Sequence, residues 1–354
     1  MSKKIVIPHS KPSLDENEVI SVSNVIRSGR IVQGKVVEKL ERKMAKYIGA
    51  RGAVATSTGT SALHLALLAI GIKKGDYIAI PNFVCSALLN VVKYVGALPI
   101  LADADRKTYN IDIYDLKKRI NKSTKAIIVP HQFGLPADID EVMSLGIPVI
   151  EDCAQAIGAI YKGKKVGSFG RLSCFSFYAT KVMATGEGGM VVSDSENLLK
   201  KIRDLREYDN RKNYLIRYNY KMTDIQAAMG ISQLKKLNSL LLKRVNIAKR
   251  YFSELQGFCN LPSISYKDRR HIFFRFLIQV RGSVSKALEF LSERGVTCMR
   301  PVYKPLHKYL HIHGFPNSDA IWNRTISIPI YPSLTDKEIC IILNVLKQYL
   351  KRKI

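Results

Sequence analysis

Within residues 35–49, KVVEKLERKMAKYIG, apolar side chains recur at Val36, Leu40, Met44 and Ile48 with charged residues between them. That spacing lays one apolar stripe along an α-helix. Residues 13–49 as a whole read as helical, with a turn at Ser28-Gly29-Arg30. From there the pattern becomes an alternation. ARGAVATS, YIAIP, ALPILAD, KAIIVP and IPVIEDC are short apolar runs and read as strands. SALHLALLAIGI, LLNVVKYVG, DIYDLKKRI and DIDEVMSLG read as the helices between them. Strand–helix alternation with short connections predicts an α/β domain with a mainly parallel sheet. Beyond Gly158 the order changes: LSCFSFYA and GGMVVSD are predicted strands around a loop. Helices follow in SENLLKKIRDLRE, TDIQAAMGISQLKKLNSLL and LKRVNIAKRYFSEL. From about Cys259 the composition shifts, with a predicted strand HIFFRFLIQV and predicted helices VSKALEFLSERG and TDKEICIILNVLKQYL. The expected division is a large domain over 1–244 and a small α+β domain over 245–354.

The chain has 354 residues, 47% hydrophobic and 24% charged. Those values exclude a disordered chain and a disulfide-dependent mini-scaffold. The start, MSKKIVIPHSKPSLDE, is mixed and turns at Pro8 and Pro12, unlike a secretory leader. No run approaches the ~18 apolar residues of a membrane span. The six cysteines include no C-x-x-C pair, so reduced thiols, no metal and a cytoplasmic location are expected. Charge is the odd feature: 56 Lys+Arg face 29 Asp+Glu, a net +27. A polyanion partner would explain it, and so would a Lys-rich surface. The basic residues are spread along the chain without blocks or a nucleic-acid motif. The expectation is therefore local anion sites, with no nucleic acid and no membrane partner.

Three positions carry chemistry. Asp152 ends the buried strand IPVIED, and ligands in parallel sheets sit beyond the carboxyl ends of strands. It could hold a cationic ligand group or merely cap the next segment. Lys181 follows a strand and precedes Gly186, Gly188 and Gly189. A partly desolvated lysine there could act as a nucleophile; a solvated one would do nothing. Thr58-Gly59-Thr60-Ser61 stand at a predicted helix start, where free N–H groups and hydroxyls either cradle a phosphate or cap the helix. Ser176 could add a hydroxyl. Together, a strand-end acid, a loop lysine and a phosphate-accepting helix end are what pyridoxal phosphate (PLP) needs.

At these residues the chain resembles the DegT/DnrJ/EryC1/StrS family of PLP-dependent nucleotide-sugar aminotransferases, of the aspartate-aminotransferase fold type I. The resemblance runs through SGRIVQGKVVEKLE, STGTSALHLAL, EDCAQAIGA, GSFGRLSCFSFYATKVMATGEGGMVVSD and YNYKMTDIQAAMG. It implies that Lys181 holds the cofactor aldehyde and moves the proton, and that Asp152 pairs with the pyridine nitrogen. It places Gln155 by the ring oxygen or the sugar, and Gly59, Thr60 and Ser176 at the phosphate. Asn219 would reach the phosphate of a neighbouring subunit, which implies a homodimer with shared sites. Arg30, Lys221, His131 and His307 are the expected substrate contacts, with Arg211, Lys212 and Arg217 near the mouth.

The sequence departs from the family pattern in three places. Cys85 stands where an aromatic residue commonly covers the ring, leaving open whether its sulfur or Phe83 takes that role. Ile157 stands where histidine is frequent, and Lys221 where arginine is common. The related 3-dehydratases carry histidine at the lysine position, so Lys181 speaks against that reaction. The implied activity is transfer of an amino group from L-glutamate to a nucleotide-linked keto sugar, a 4-keto-6-deoxy sugar in preference to a 3-keto one. The pathway expected is amino-sugar biosynthesis for polysaccharide such as lipopolysaccharide. A different PLP enzyme acting on amino acids, or a basic non-catalytic binding protein, are the competing classes.

Overall fold

The computed structural model describes residues 6–263 and 265–352. Two helices come first, α1 (Glu16–Arg27) and α2 (Lys35–Ile48). The expected stripe on α2 is buried at Leu40, Met44 and Ile48, but Val36 is only half-buried and Val37 is the buried residue of the first turn. Then the chain alternates through β1 (Gly52–Thr56), α3 (Gly59–Ala69), β2 (Tyr77–Pro81), α4 (Ala87–Tyr94), β3 (Leu98–Ala102), α5 (Ile113–Arg119), β4 (Thr124–Pro130), α6 (Ile139–Met143) and β5 (Val149–Asp152). A short hairpin of β6 (Ile160–Tyr161) and β7 (Lys164–Lys165) precedes β8 (Leu172–Ser176) and β9 (Gly189–Ser193). Next come α7 (Glu196–Leu205) and the long α8 (Asp224–Leu255). The remainder holds β10 (Arg269–Arg270), β11 (Phe276–Gln279), α9 (Val284–Glu293), α10 (Leu306–Leu310), α11 (Pro316–Arg324), β12 (Thr325–Ile328) and α12 (Asp336–Leu350).

Seven strands form one sheet in the order β1-β9-β8-β5-β4-β2-β3. The pairs from β3 across to β8 are parallel. β9 runs antiparallel to β8 and to β1. Every strand of this sheet except β9 therefore ends at the same edge. Alternate residues feed two cores, as the period of two demands. Ile127, Val129 and Val192 enter one face; Ala126, Ile128 and Val191 enter the other. The strands are buried on both faces, which is why they read as unbroken apolar runs.

The C-terminal part has its own core, built from Ile7, Tyr251, Phe276, Ile278, Leu291, Ile326, Ile342 and Leu346. α8 joins it to the main sheet. Its Leu237 and Leu241 pack in the sheet core, whereas Ile247, Ala248, Tyr251 and Leu255 pack in the C-terminal one. The two helices read from the sequence here are one continuous helix, and the boundary drawn at 244/245 falls inside it. The segment HIFFRFLIQV is only half a strand: β11 starts at Phe276. Ahead of it, Phe273 takes a left-handed φ of 49°, and its carbonyl accepts a hydrogen bond from the Arg244 guanidinium.

Candidate active site

The carboxyl edge of the sheet gathers residues far apart in sequence. Cys85 follows β2, His131 follows β4, Asp152 ends β5, Ser176 ends β8, and Gly59 opens α3 just after β1. Asp152 is buried, and among the described residues only the Ala154 amide donates to its carboxylate, at 3.0 Å. Burial pushes its pKa up, opposed by that hydrogen bond and by the charges of Lys181 and His131. A carboxylate held this way wants a cation.

Lys181 lies in the loop between β8 and β9, half-buried, with Nζ 5.1 Å from the Phe274 ring centre. Among the described residues no acceptor takes a hydrogen bond from Nζ. Burial pushes its pKa down; the Cys85 thiol and Asp152 hold it up, and Arg275 adds to the fall. A lysine whose neutral amine is made more accessible, close to a carboxylate but not paired with it, is set up for proton transfer and for bonding to carbon.

The phosphate cradle is the start of α3. The Thr58 hydroxyl caps it by accepting from the Ser61 amide at 3.0 Å. The amides of Gly59 and Thr60 have no acceptor among the described residues and are free for an anion. Gly59 allows a close approach: a Cβ there would sit 2.7 Å from Cβ of Ser176. That contact brings the Ser176 hydroxyl to the same helix end. The buried acid, the unpartnered lysine and the open helix end together fit PLP.

Other expected contacts fall differently. Gln155 Oε1 accepts from the Phe133 amide at 3.0 Å, so its NH2 faces outward with no acceptor among the described residues. Phe83 is fully buried, packed edge-on against Phe133. Cys85 is the member of that segment open to solvent. It faces the same cleft, with its thiol within electrostatic reach of Asp152 and Lys181.

His131 and His307, expected at the sugar, have ring nitrogens engaged by other parts of the protein. His131 is fully buried; its Nδ1 accepts from the Ala137 amide at 3.0 Å, so Nε2 carries the proton toward Glu151, also 3.0 Å away. His307 is tied through its amide and Nδ1 to Asn82, with Nε2 3.3 Å from Asp319.

The mouth cations are largely neutralised by acids of their own segments. Lys221 meets Asp209 at 2.9 Å and Glu207 at 3.8 Å. Arg217 meets Asp204 at 3.1 Å, and Arg211 lies 3.7 Å from the same carboxylate. Arg30 and Lys212 are exposed. Asn219 is exposed too, and its sequence neighbours Tyr218 and Tyr220 stack their rings on each other. The Tyr220 carbonyl accepts from the Ser57 amide at 2.8 Å, which sets this segment beside the start of α3.

One residue escaped the sequence reading. Glu151, also fully buried, accepts from His131, from the amides of Gly167, Phe169 and Gly170, and from the Ser173 hydroxyl. Cys153 lies close to His131 and Glu151, yet both ring nitrogens and both carboxylate oxygens are already hydrogen-bonded to protein. The signal available was an acid inside a buried strand, which has to be paired.

This fold, with a lysine and an aspartate at the carboxyl edge and an open helix end between them, defines a PLP enzyme of the aspartate-aminotransferase type. The chain belongs to the DegT/DnrJ/EryC1/StrS aminotransferase family, which residues 12–347 match. It is 35% identical to the GDP-perosamine synthase of Vibrio cholerae over 97% of this chain and 99% of that protein. It is 33% identical to the spore coat polysaccharide biosynthesis protein SpsC of Bacillus subtilis, over 98% of this chain and 97% of that one. Its fold matches Helicobacter pylori PseC, an aminotransferase involved in the biosynthesis of pseudoaminic acid. The TM-score is 0.92 at 26% identity, covering 98% of this chain and 99% of PseC. The protein is a PLP-dependent sugar aminotransferase.

Proposed function

We propose that the enzyme moves the amino group of L-glutamate onto C4 of a nucleotide-diphosphate-linked 4-keto-6-deoxy sugar. It would do so in the cytoplasm, as a homodimer with shared sites, for amino-sugar and polysaccharide synthesis. The observation that carries the reading is Lys181: an amine with depressed basicity and, among the described residues, no hydrogen-bond acceptor, on the loop K-x-M-x-T-G-E-G-G. Relatives named GDP-perosamine synthase, at 35%, 33% and 34% identity in three organisms, support a nucleotide-linked sugar as acceptor.

Each residue has a task. Gly59, Thr60 and Ser176 would hold the PLP phosphate. Asp152 would hold the protonated ring nitrogen, and a buried carboxylate does so without competition from water. When bound, PLP supplies an electron sink for the carbon that loses its proton. Lys181 would take that proton and return it to the neighbouring carbon; burial lowers its pKa, which makes the neutral amine more accessible as a base. Gln155, whose Oε1 is taken by the Phe133 amide, would donate its NH2 to a ring or sugar oxygen.

The test is to offer the purified protein glutamate and a panel of GDP-, UDP- and dTDP-linked keto sugars. Mass spectrometry finds any amino sugar and NMR locates the amine. A 4-amino product is expected. A 3-amino product would move the assignment to the other carbon. Amino-acid exchange without any sugar product would overturn the sugar assignment.

A further inference from the structure

From Ala62 to Ala69, α3 is apolar except at one position, His64. The side chain is 4% exposed, yet only one of its ring nitrogens has a partner. Nδ1 lies 3.1 Å from the Tyr220 hydroxyl, and Nε2 is buried with no partner among the described residues. Either tautomer leaves Nε2 unpaired, as a bare lone pair or as an N–H, and burial lowers the pKa of the ring. Three tyrosine rings meet the imidazole edge-on: Tyr94 at the end of α4, Tyr218 and Tyr220, with centres 5.5, 4.8 and 5.9 Å away. A leucine would fill this position and leave no buried nitrogen unpaired. Rules broken at such a cost cluster where function needs them.

What His64 holds is the segment Tyr218-Asn219-Tyr220. The Tyr218 and Tyr220 amides donate to the carbonyls of Leu205 and Arg206, at 2.8 and 3.0 Å, and the Tyr220 carbonyl accepts from the Ser57 amide. These backbone bonds set where the segment runs, and the rings set how it is turned about its own axis. Tyr218 and Tyr220 stack with centres 5.0 Å apart and planes within 12° of parallel. Rings at i and i+2 stack from the same side of the chain, here the side of His64. That leaves Asn219, between them and exposed, on the side away from α3.

We propose that His64 is a positioning residue for the cofactor: through Tyr220 it fixes the turn of this segment and so aims Asn219 at the phosphate held in the partner subunit. The proposal rests on the shared-site dimer proposed above. His64 itself touches neither phosphate nor substrate. It joins the helix that opens one cradle to the segment that completes the other. Each α3 then serves both sites, its own through Gly59 and Thr60 and the partner's through His64.

The test compares full-length His64→Leu, Tyr220→Phe and Asn219→Ala with the double variant that combines His64→Leu and Asn219→Ala. Absorbance titration of the cofactor-free protein gives the PLP affinity, and scanning calorimetry of the same protein reports the fold. Asn219→Ala should weaken PLP binding by about tenfold or more, the loss of a hydrogen bond to a charged group. His64→Leu should weaken it by about three- to tenfold, with the cofactor-free Tm within about 3 °C of wild type. Tyr220→Phe keeps the ring and loses only the hydroxyl. It should show part of the same loss, and it carries the test if His64→Leu does not fold. The distinctive result is the double variant, which should bind PLP no more weakly than Asn219→Ala alone, because His64 acts only through Asn219. Losses that multiply in the double variant, or unchanged PLP affinity in both His64→Leu and Tyr220→Phe, would overturn the proposal and leave the shared-site dimer standing. Wild-type PLP affinity in Asn219→Ala would instead sink the role of Asn219, and the proposal with it.

Discussion

Asp152 and Glu151 are neighbours on one buried strand, and the fold treats them in opposite ways. Glu151 receives five hydrogen bonds, and they hold its pKa below the usual range despite burial. Asp152 receives one and is pushed the other way. A raised carboxyl pKa means the folded state binds that proton more tightly than the unfolded chain. The Asp152 charge therefore costs stability once the pH exceeds its folded pKa, and the cost vanishes below the ordinary 3.8. Asp152→Asn should then raise the Tm of the cofactor-free protein by about 1–3 °C at neutral pH. The gain should disappear in acid, and added PLP should stabilise the variant less than the wild type. Scanning calorimetry with and without PLP at two pH values checks this; a lower Tm in Asp152→Asn at neutral pH would show a structural cap. Glu151→Gln should behave in reverse. The amide keeps one acceptor oxygen and turns its NH2 toward donors, leaving buried N–H groups unpaired, at a cost of about 2–4 kcal/mol in urea unfolding.

Elements are joined by contacts that no local pattern announces. α2 begins at Gly34, which has no side chain to cap it. Its cap arrives from the first turn of α8, where buried Asp224 accepts from the amides of Gly34 and Val37, each at 2.9 Å. One carboxylate thus faces the positive ends of two helices. Gly34 has to be small, because a Cβ there would lie 2.9 Å from Asp224 Oδ2. Asp224→Ala should cost about 1–2 kcal/mol, with Asp224→Asn losing less, since it keeps the acceptor; thermal unfolding measures both. This explains what the sequence revealed and what it withheld. The α/β alternation, the buried strands and the Asp152, Lys181 and Gly59 positions were legible, because each depends on local periodicity or a strand end. The capping of α2 was not, since its partner lies 190 residues away. HIFFRFLIQV misled because its aromatic and branched residues favour strands generally, whereas a guanidinium from α8 claims the carbonyls of Phe273 and Phe274. Histidine chemistry is visible in sequence, whereas the Ala137 amide and Glu151 that engage the His131 ring, and the Asn82 that engages His307, are not.

At the scale of the molecule, the net +27 and the exposed apolar side chains need different explanations. Most of the charge is surface lysine, and it would favour encounter with anionic sugar nucleotides without building a site. The apolar exposure is local. Tyr214 is 95% exposed, Val32 71% and Ile216 65%. Val32 sits where its carbonyl, with that of Ile31, accepts from the Asp224 amide, so it lies close to the segment that carries Asn219. Apolar surface exposed along and near the segment that carries Asn219 is what a second copy would cover. In the proposed dimer, Asn219 serves the partner's phosphate cradle and not its own. Subunits carrying Lys181→Ala should lose turnover by at least about 10³-fold, and those carrying Asn219→Ala should bind PLP weakly. Mixing the two and letting subunits exchange gives a sharp prediction. A mixed dimer has one site with both defects and one with an intact lysine and an intact asparagine from across the interface. If half of the dimers are mixed, activity should return to about a quarter of the wild-type value. If Asn219 acted within its own subunit, each site of a mixed dimer would keep one defect, and the mixture would be no more active than its two components assayed apart.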